Sequence, residues 1–346
     1  MSIKLIINDS VYEGWTKARL TRSIENVTGS FSFSTVDSAP VNPVIRAGSA
    51  CKVLIDNSTE LTGYIDNVQL RANSSSSTVE ISGRGKTADL VDCTADLSQV
   101  GYGSWDHISF EAFANIFCRP FGIVVRKEAN FSDPQSTFTV NIGETVFDIL
   151  QKAAKSRAVL LTSNGFGDLV LSRVGNVTTD DPLILGENIT DFSAQKDIAD
   201  RFHKYYVKNQ VSSEGKGFTK ANTQILGQAI DRGIRDVRTS LIVEQDAEST
   251  QMADARASWE AQIQIAQSER YSITVPGFEQ SSGALWRENM ITPVRADTNG
   301  YTIDTQLLIT SITYSESSRG RETKMELKRK NVYAAQPEIL QQADIL

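Results

Sequence analysis

The chain has 346 residues, 40% of them hydrophobic and 22% charged, which is ordinary globular usage. At about 150 residues per domain, that length predicts two or three units. A formal charge of −7 excludes a general nucleic-acid binder, which needs a cationic face, and no apolar run reaches the ~18 residues of a transmembrane helix.

The N-terminus passes from Ile3 and Leu5 straight into Asn8 and Asp9, so no secretory leader is expected. Ile3, Leu5 and Ile7 alternate with polar residues, as do Phe31 and Phe33, Val53 and Ile55, and Val79 and Ile81. Period-two alternation puts one face of each strand in a core and the other in solvent. Turn residues at Asp56-Asn57-Ser58 and in the Ser74–Ser77 run separate these strands. Closely spaced short strands predict an antiparallel barrel or sandwich, and residues 1–93 are assigned to a first β-barrel.

The pattern changes after Asp92. Ser109 is placed to cap a helix carrying Phe113, Ile116 and Phe117, with Gly122 at its end. Thr145 and Asp148 form a capping-box-like pair ahead of Val146, Ile149, Leu150, Ala153 and Ala154, a helical stripe. Two strands follow, at 158–162 and 168–173, around Asn164-Gly165. Residues 94–187 therefore read as an inserted α+β domain.

Residues 176–200 are acidic and turn-rich, without calcium-loop spacing, and read as a solvated connection. A strand is expected at 203–208 and a loop at 212–222, where glycine and serine cluster. Met252, Ala255, Trp259, Ile263 and Ala266 mark an amphipathic helix. From Tyr271 the β pattern returns and ends in a hairpin, 307–314 with 324–330. Residues 188–211 and 270–333 are assigned to a second barrel. Residues 212–269 are a loop and helix packed on the α+β domain, and 334–346 a C-terminal tail. The fold class is mainly β with an α+β insertion, two similar antiparallel barrels and a helix-containing domain.

The two β regions resemble each other. Val53 and Asp56 have counterparts in Val294 and Asp297, and Ile65, Val68 and Leu70 match Ile309, Ile312 and Tyr314 at one constant offset. Val79 and Ile81 then match Met325 and Leu327, two residues later in register. Two like barrels per chain would let a cyclic trimer present six near-equivalent units.

Signatures of chemistry are weak. Gly85-Lys86-Thr87 has the end of a phosphate loop, but Glu80 stands where its first glycine belongs. Asp66, Asp89 and Asp92 read as turn or capping residues. Cys51, Cys93 and Cys118 lack metal-ligand spacing and read as reduced thiols. His107 and His203 are the two histidines of the chain, poor material for triad or metal chemistry. No catalytic, cofactor or metal site is expected. The segment from Glu316 to Lys330 holds six basic residues against three acidic ones and reads as a solvated hairpin with Met325 and Leu327 inward.

Gly63-Tyr-Ile-Asp66, the run from Gly83-Arg-Gly-Lys-Thr to Asp92-Cys93, Gly283-Ala-Leu-Trp286-Arg-Glu-Asn289, Leu307-Leu-Ile309 and Asn331-Val-Tyr333 together resemble Mu-like phage baseplate hub proteins, over about residues 3 to 337. That resemblance implies a non-enzymatic homotrimer at the centre of a contractile tail's baseplate. Its pseudo-sixfold ring would join the tail tube protein to the central spike protein, beside other baseplate proteins, with DNA as transient cargo and no stable membrane insertion. The expected location is the virion tail, after assembly in the host cytoplasm. Two other readings remain open at this point: a cell-wall glycosidase using a carboxylate pair, and the hub of a bacterial secretion-system spike. The end of the chain near residue 346, with no long extension, speaks against the latter.

Overall fold

The computed structural model describes residues 2–37, 45–72, 77–101, 104–131, 133–155, 157, 159–175, 177–209, 226–244 and 250–333. They fall into two compact units, one of residues 1–193 and 272–327, the other of 194–271 and 328–346. The expected loop at 212–222 and the tail at 334–346 lie outside the described residues.

The first unit opens with seven strands: β1 (Ile3–Ile7), β2 (Ser10–Tyr12), β3 (Lys17–Ser23), β4 (Ser30–Asp37), β5 (Ala50–Ile55), β6 (Ser58–Ala72) and β7 (Ser77–Gly85). Their alternation sorts as its period requires: Ile3, Leu5, Ile7, Phe31, Phe33, Val53, Ile55, Val79 and Ile81 are all buried. β6 is long and bends at a bulge between Ile65 and Asn67. Two glycines make its contact with β7 possible. A Cβ on Gly63 would sit 1.9 Å from the Arg84 carbonyl oxygen, and one on Gly83 would sit 2.1 Å from that of Tyr64.

The α+β insertion follows, with α1 (Ala88–Asp92), α2 (Leu97–Val100), β8 (Ser104–Ile108), α3 (Phe110–Cys118), β9 (Val125–Lys127), β10 (Ser136–Thr139), α4 (Val146–Lys155), β11 (Leu160–Ser163) and β12 (Leu169–Ser172). Ser109 accepts the Ala112 N–H and caps α3, and Gly122 takes a left-handed conformation after the short 3-10 turn that follows. Thr145 Oγ1 caps α4 by accepting the Asp148 N–H at 3.2 Å and donates to the Asp148 carboxylate at 2.8 Å, a side-chain variant of the capping box. α3 and α4 bury Phe113, Phe117, Val146, Ile149 and Leu150 in one core with Leu169 and Leu171 of β12.

The acidic connection is more ordered than its composition predicts. It forms β13 (Val177–Thr178), β14 (Leu183–Ile184) and β15 (Asp191–Lys196). Two of its aspartates are taken up at long range: Ser281 Oγ and Ser282 Oγ donate to Asp181 and Asp180, and Leu183 just after them is fully buried. The strands β19 (Glu269–Pro276), β20 (Met290–Thr298), β21 (Tyr301–Ser317) and β22 (Gly320–Lys328) complete the β framework. The terminal hairpin β21–β22 is thus longer than its hydrophobic pattern indicated, with Met325 and Leu327 buried as expected.

Strand order makes the internal similarity concrete. One run is β1-β5-β6-β7-β4-β3 and the other is β14-β20-β21-β22-β19-β15. Matching these strand for strand pairs the same sequential positions throughout. One difference is direction at the start: β1 runs antiparallel to β5, whereas β14 runs parallel to β20. The runs meet through β21 and β3, which pair antiparallel from Ser311↔Ser23 to Ser317↔Lys17. Among the described residues the ladder therefore continues from one run into the other, and no strand pairing closes either run into a separate barrel.

The second unit holds β16 (Lys204–Asn209), β17 (Leu226–Ile230), β18 (Thr239–Glu244) and α5 (Thr250–Gln267). β16 is the middle strand of a separate three-stranded sheet, not a strand of the second β run, which corrects its expected assignment. α5 packs on this sheet within the second unit. Its buried stripe is Ala253, Ala257 and Ala261 against Tyr205 and Val207, with Ile263 and Ala266 also buried and Ala255 exposed. Small side chains let the helix lie close: a Cβ on Gly227 would sit 2.0 Å from the Ala253 carbonyl carbon.

Burial separates the three thiols. Desolvation pushes Cys51 and Cys118 up to about 12, helped at Cys51 by the Asp66 charge, whereas Cys93 is exposed. A disulfide-exchange reagent at pH 8 should modify Cys93 promptly in the native chain, and all three cysteines only after denaturation. Prompt native reaction at a second cysteine would contradict the packing.

Candidate functional site

A buried charge cluster lies in the first unit where the two β runs and the α+β insertion come together. It is built on four consecutive residues, Trp286 to Asn289, in the loop before β20. Each of the four secures a different element. Trp286 accepts a hydrogen bond from the buried Tyr314 hydroxyl of β21 through its carbonyl oxygen. Arg287 binds Glu60 of β6 in a bidentate pair at 2.8 and 2.9 Å. Glu288 accepts from Arg22 of β3, with both Nε and Nη2 at 2.7 Å. Asn289, in a left-handed conformation at φ 67°, donates to the Arg173 carbonyl and accepts the Gly175 N–H, both at 2.8 Å.

Arg22 spreads its guanidinium further, donating to the carbonyl oxygens of Glu60 and Ser163, each at 2.8 Å. Burial opposes its charge, but Glu288 and Glu60 outweigh that and hold the pKa above the ordinary guanidinium value. Burial likewise drives the Tyr314 phenol well above its ordinary value. The Glu60 side chain is 1% exposed and that of Arg287 43%. An open cleft of about 800 Å³ borders the cluster, lined in part by Glu60, Asn164, Phe166 and Arg287.

This geometry suits fastening rather than acid–base chemistry. A glycosidase needs one carboxyl able to hold a proton and a second free to attack or to activate water. Here Glu60 and Glu288 are both engaged by guanidinium groups. Among the described residues no group of three His, Cys, Asp or Glu side chains is placed to hold a metal. His203 Nδ1 lies 2.9 and 3.0 Å from the carbonyl oxygens of Asp231 and Ile234, a structural contact in the second unit.

Gly85-Lys86-Thr87 is the end of β7 and the turn into α1. Lys86 Nζ donates to the Gly122 carbonyl at 2.5 Å and Thr87 Oγ1 to that of Val27 at 2.9 Å, so both side chains tie elements of the chain together. Arg84 bridges Asp66 at 2.7 Å and Asp92 at 2.7 Å, and holds the Asp92 carboxyl below the ordinary carboxylate range. Asp66 and Asp92 thus act as its ion-pair partners. The charge cluster was not anticipated from residue patterns, because Arg22, Glu60 and Arg287 lie far apart in sequence. Its one visible sign was the Trp286–Asn289 run.

The chain is similar to known proteins over nearly its whole length. Residues 2–85 match the family described as Mu phage baseplate assembly protein GpP-like, N-terminal; 87–173 match baseplate hub protein gp44-like, second domain; and 249–336 match Mu phage baseplate assembly protein GpP, fourth domain. Baseplate hub protein gp44 of Escherichia phage Mu is 32% identical over 90% of this chain and 83% of its own length. The crystal structure of the prophage MuSo2 43 kDa tail protein from Shewanella oneidensis superposes with a TM-score of 0.85 at 32% identity, covering 97% of this chain and 100% of that one. The E. coli c3393 protein, a type VI secretion component described as similar to the T4 tail proteins gp27 and gp5, shares the fold: TM-score 0.57 at 10% identity, over 97% of this chain and 80% of that one.

The fold defines a phage tail hub of mainly β construction. The chain belongs to the family of Mu-like phage baseplate hub proteins.

Removing one partner from a buried, hydrogen-bonded ion pair costs about 3–5 kcal/mol, because the other charge stays desolvated. Glu60→Gln should therefore lower the urea-unfolding free energy of the full chain by roughly that amount. Lys324→Ala, which breaks an exposed pair with Glu326, should change it by under about 1 kcal/mol. Equal effects of the two substitutions would contradict a stabilising cluster.

Proposed function

We propose that three copies of this chain form a ring at the centre of a contractile tail's baseplate. The ring joins the tail tube protein to the central spike protein, contacts other baseplate proteins, and lets DNA pass during ejection. The chain does this by assembly, without catalysis, in the virion tail, having been assembled in the host cytoplasm.

One observation carries the reading: the same order of strands occurs twice in one chain. A threefold assembly of such chains displays six similar β units around its axis. A sixfold tube can then dock on one side and a threefold spike on the other. A heterologous interface of this kind gives a closed ring when its rotation closes. The net charge of −7 suits a conduit, since an anionic wall repels a polyphosphate and does not retain it. Membership of the baseplate hub family supports the same location and partners.

Sedimentation of the full chain at micromolar concentration, alone and with its tube and spike proteins, tests this. The expected result is a three-chain mass with rings on negative-stain grids. A single-chain mass in every one of these mixtures would overturn it.

A further inference from the structure

The three-stranded sheet of the second unit has a helix on one face only. β16 turns Tyr205 and Val207 toward α5, and Ala229 of β17 and Ile242 of β18 pack against the same core. Side chains alternate along a strand, so their neighbours point to the other face. There the register sets Tyr206 beside Leu241, Lys204 beside Ile230, and Lys208 between Leu226 and Val243.

A sheet with one solvated face reads polar at such positions. These do not: Leu226, Ile230, Leu241 and Val243 are 47%, 54%, 61% and 54% exposed. Leu241-Ile242-Val243 is a continuous apolar run, the pattern of a strand covered on both faces. β12 puts the same pattern to that use, with Leu169, Val170 and Leu171 all buried. In β18 only the Ile242 side is covered, by α5. A contiguous apolar face of this kind marks an interaction surface. Charge narrows the occupant. The chain carries −7 overall, yet the outward positions of this sheet hold no carboxylate, and its middle strand holds Lys204 and Lys208. Four residues apart on β16, these lie about 13 Å from each other. Tyr206, half-buried between them, is the kind of aromatic that anchors protein interfaces. A lipid surface fits less well, because lysines serve it from the rim of an apolar patch, and here they lie along the centre with apolar residues on both edges.

We propose that this face docks an acidic amphipathic helix of another protein of the tail. The helix lies on the sheet opposite α5, with its apolar stripe on Tyr206, Leu241 and the apolar residues at the sheet edges. Carboxylates two turns apart, about 11 Å along its axis, reach Lys204 and Lys208. A helix–sheet–helix arrangement then buries both faces of β16. The proposal takes from the preceding subsection the location in the tail and nothing of the ring.

Acetylation of lysines by acetic anhydride, in purified tails and in the free full chain, tests this. Lys204 and Lys208 should react at least about tenfold more slowly in tails, since only the undocked fraction is open to the reagent. A carbodiimide should couple one or both of them to Asp or Glu of a different polypeptide. Leu241→Asp should leave the circular dichroism of the free chain unchanged and cause loss of that coupling. Equal rates in tails and free chain, coupling only to carboxylates of this chain or of a second copy, or protection by phosphatidylglycerol vesicles with none in tails would each overturn the docking and leave the tail location standing. Tails that lack the chain altogether would overturn the location, and the docking with it.

Discussion

The structure of the first unit depends on desolvated ion pairs that do not lie on any one element. Glu60 belongs to β6, Arg22 to β3, and Arg287 and Glu288 to the loop before β20. Isolated, the charges of Glu60, Arg22 and Glu288 would be strongly unfavourable in a low-dielectric interior, while Arg287 keeps part of its guanidinium in solvent. Paired through bidentate and forked hydrogen bonds, they are tolerated only when the elements hold one particular arrangement. That requirement converts a favourable contact into a specification of geometry. The neighbouring Asn289 extends the specification to the point where the chain leaves the α+β insertion, through its bonds to Arg173 and Gly175.

Beside those pairs, β21 and β3 lie side by side and join the two runs in one ladder. The sheet then has a direction of repeat, from one run into the next. In the ring proposed above, such a repeat would serve the hub more than a reactive group would. The side chains that most resemble chemistry are spent on structure: Lys86 and Thr87 bond carbonyl oxygens, Arg84 bridges two aspartates, and the buried carboxylates hold arginines. Membership of the baseplate hub family agrees with this use of polar groups.

Much of the local structure was legible in the sequence because short-range rules decide it. Alternation located β1, β4, β5 and β7, and Ser109, Gly122 and Thr145 marked helix ends. The constant offset between Ile65 and Ile309, Val68 and Ile312, and Leu70 and Tyr314 pointed to the repeated order of strands. What escaped was decided at long range. β13, β14 and β15 arise in a stretch whose aspartates suggested solvent, because Ser281 and Ser282 lie a hundred residues away in sequence. β16 looked like part of the second run because a lone alternating strand carries no information about its partners. The stripe on α5 was misplaced because its alanines, not its larger residues, make the close contact with Tyr205 and Val207. The charge cluster was invisible for the same reason: Arg22, Glu60 and Arg287 give no local signal of one another.

The central claim is that a duplicated strand order lets a threefold assembly imitate a sixfold one. A cryo-electron-microscopy reconstruction of the assembled tail tip reads this directly. The account predicts three copies of the chain, their first and second runs alternating at one radius around the tail axis. Runs at two different radii, or a number of copies other than three, would contradict it.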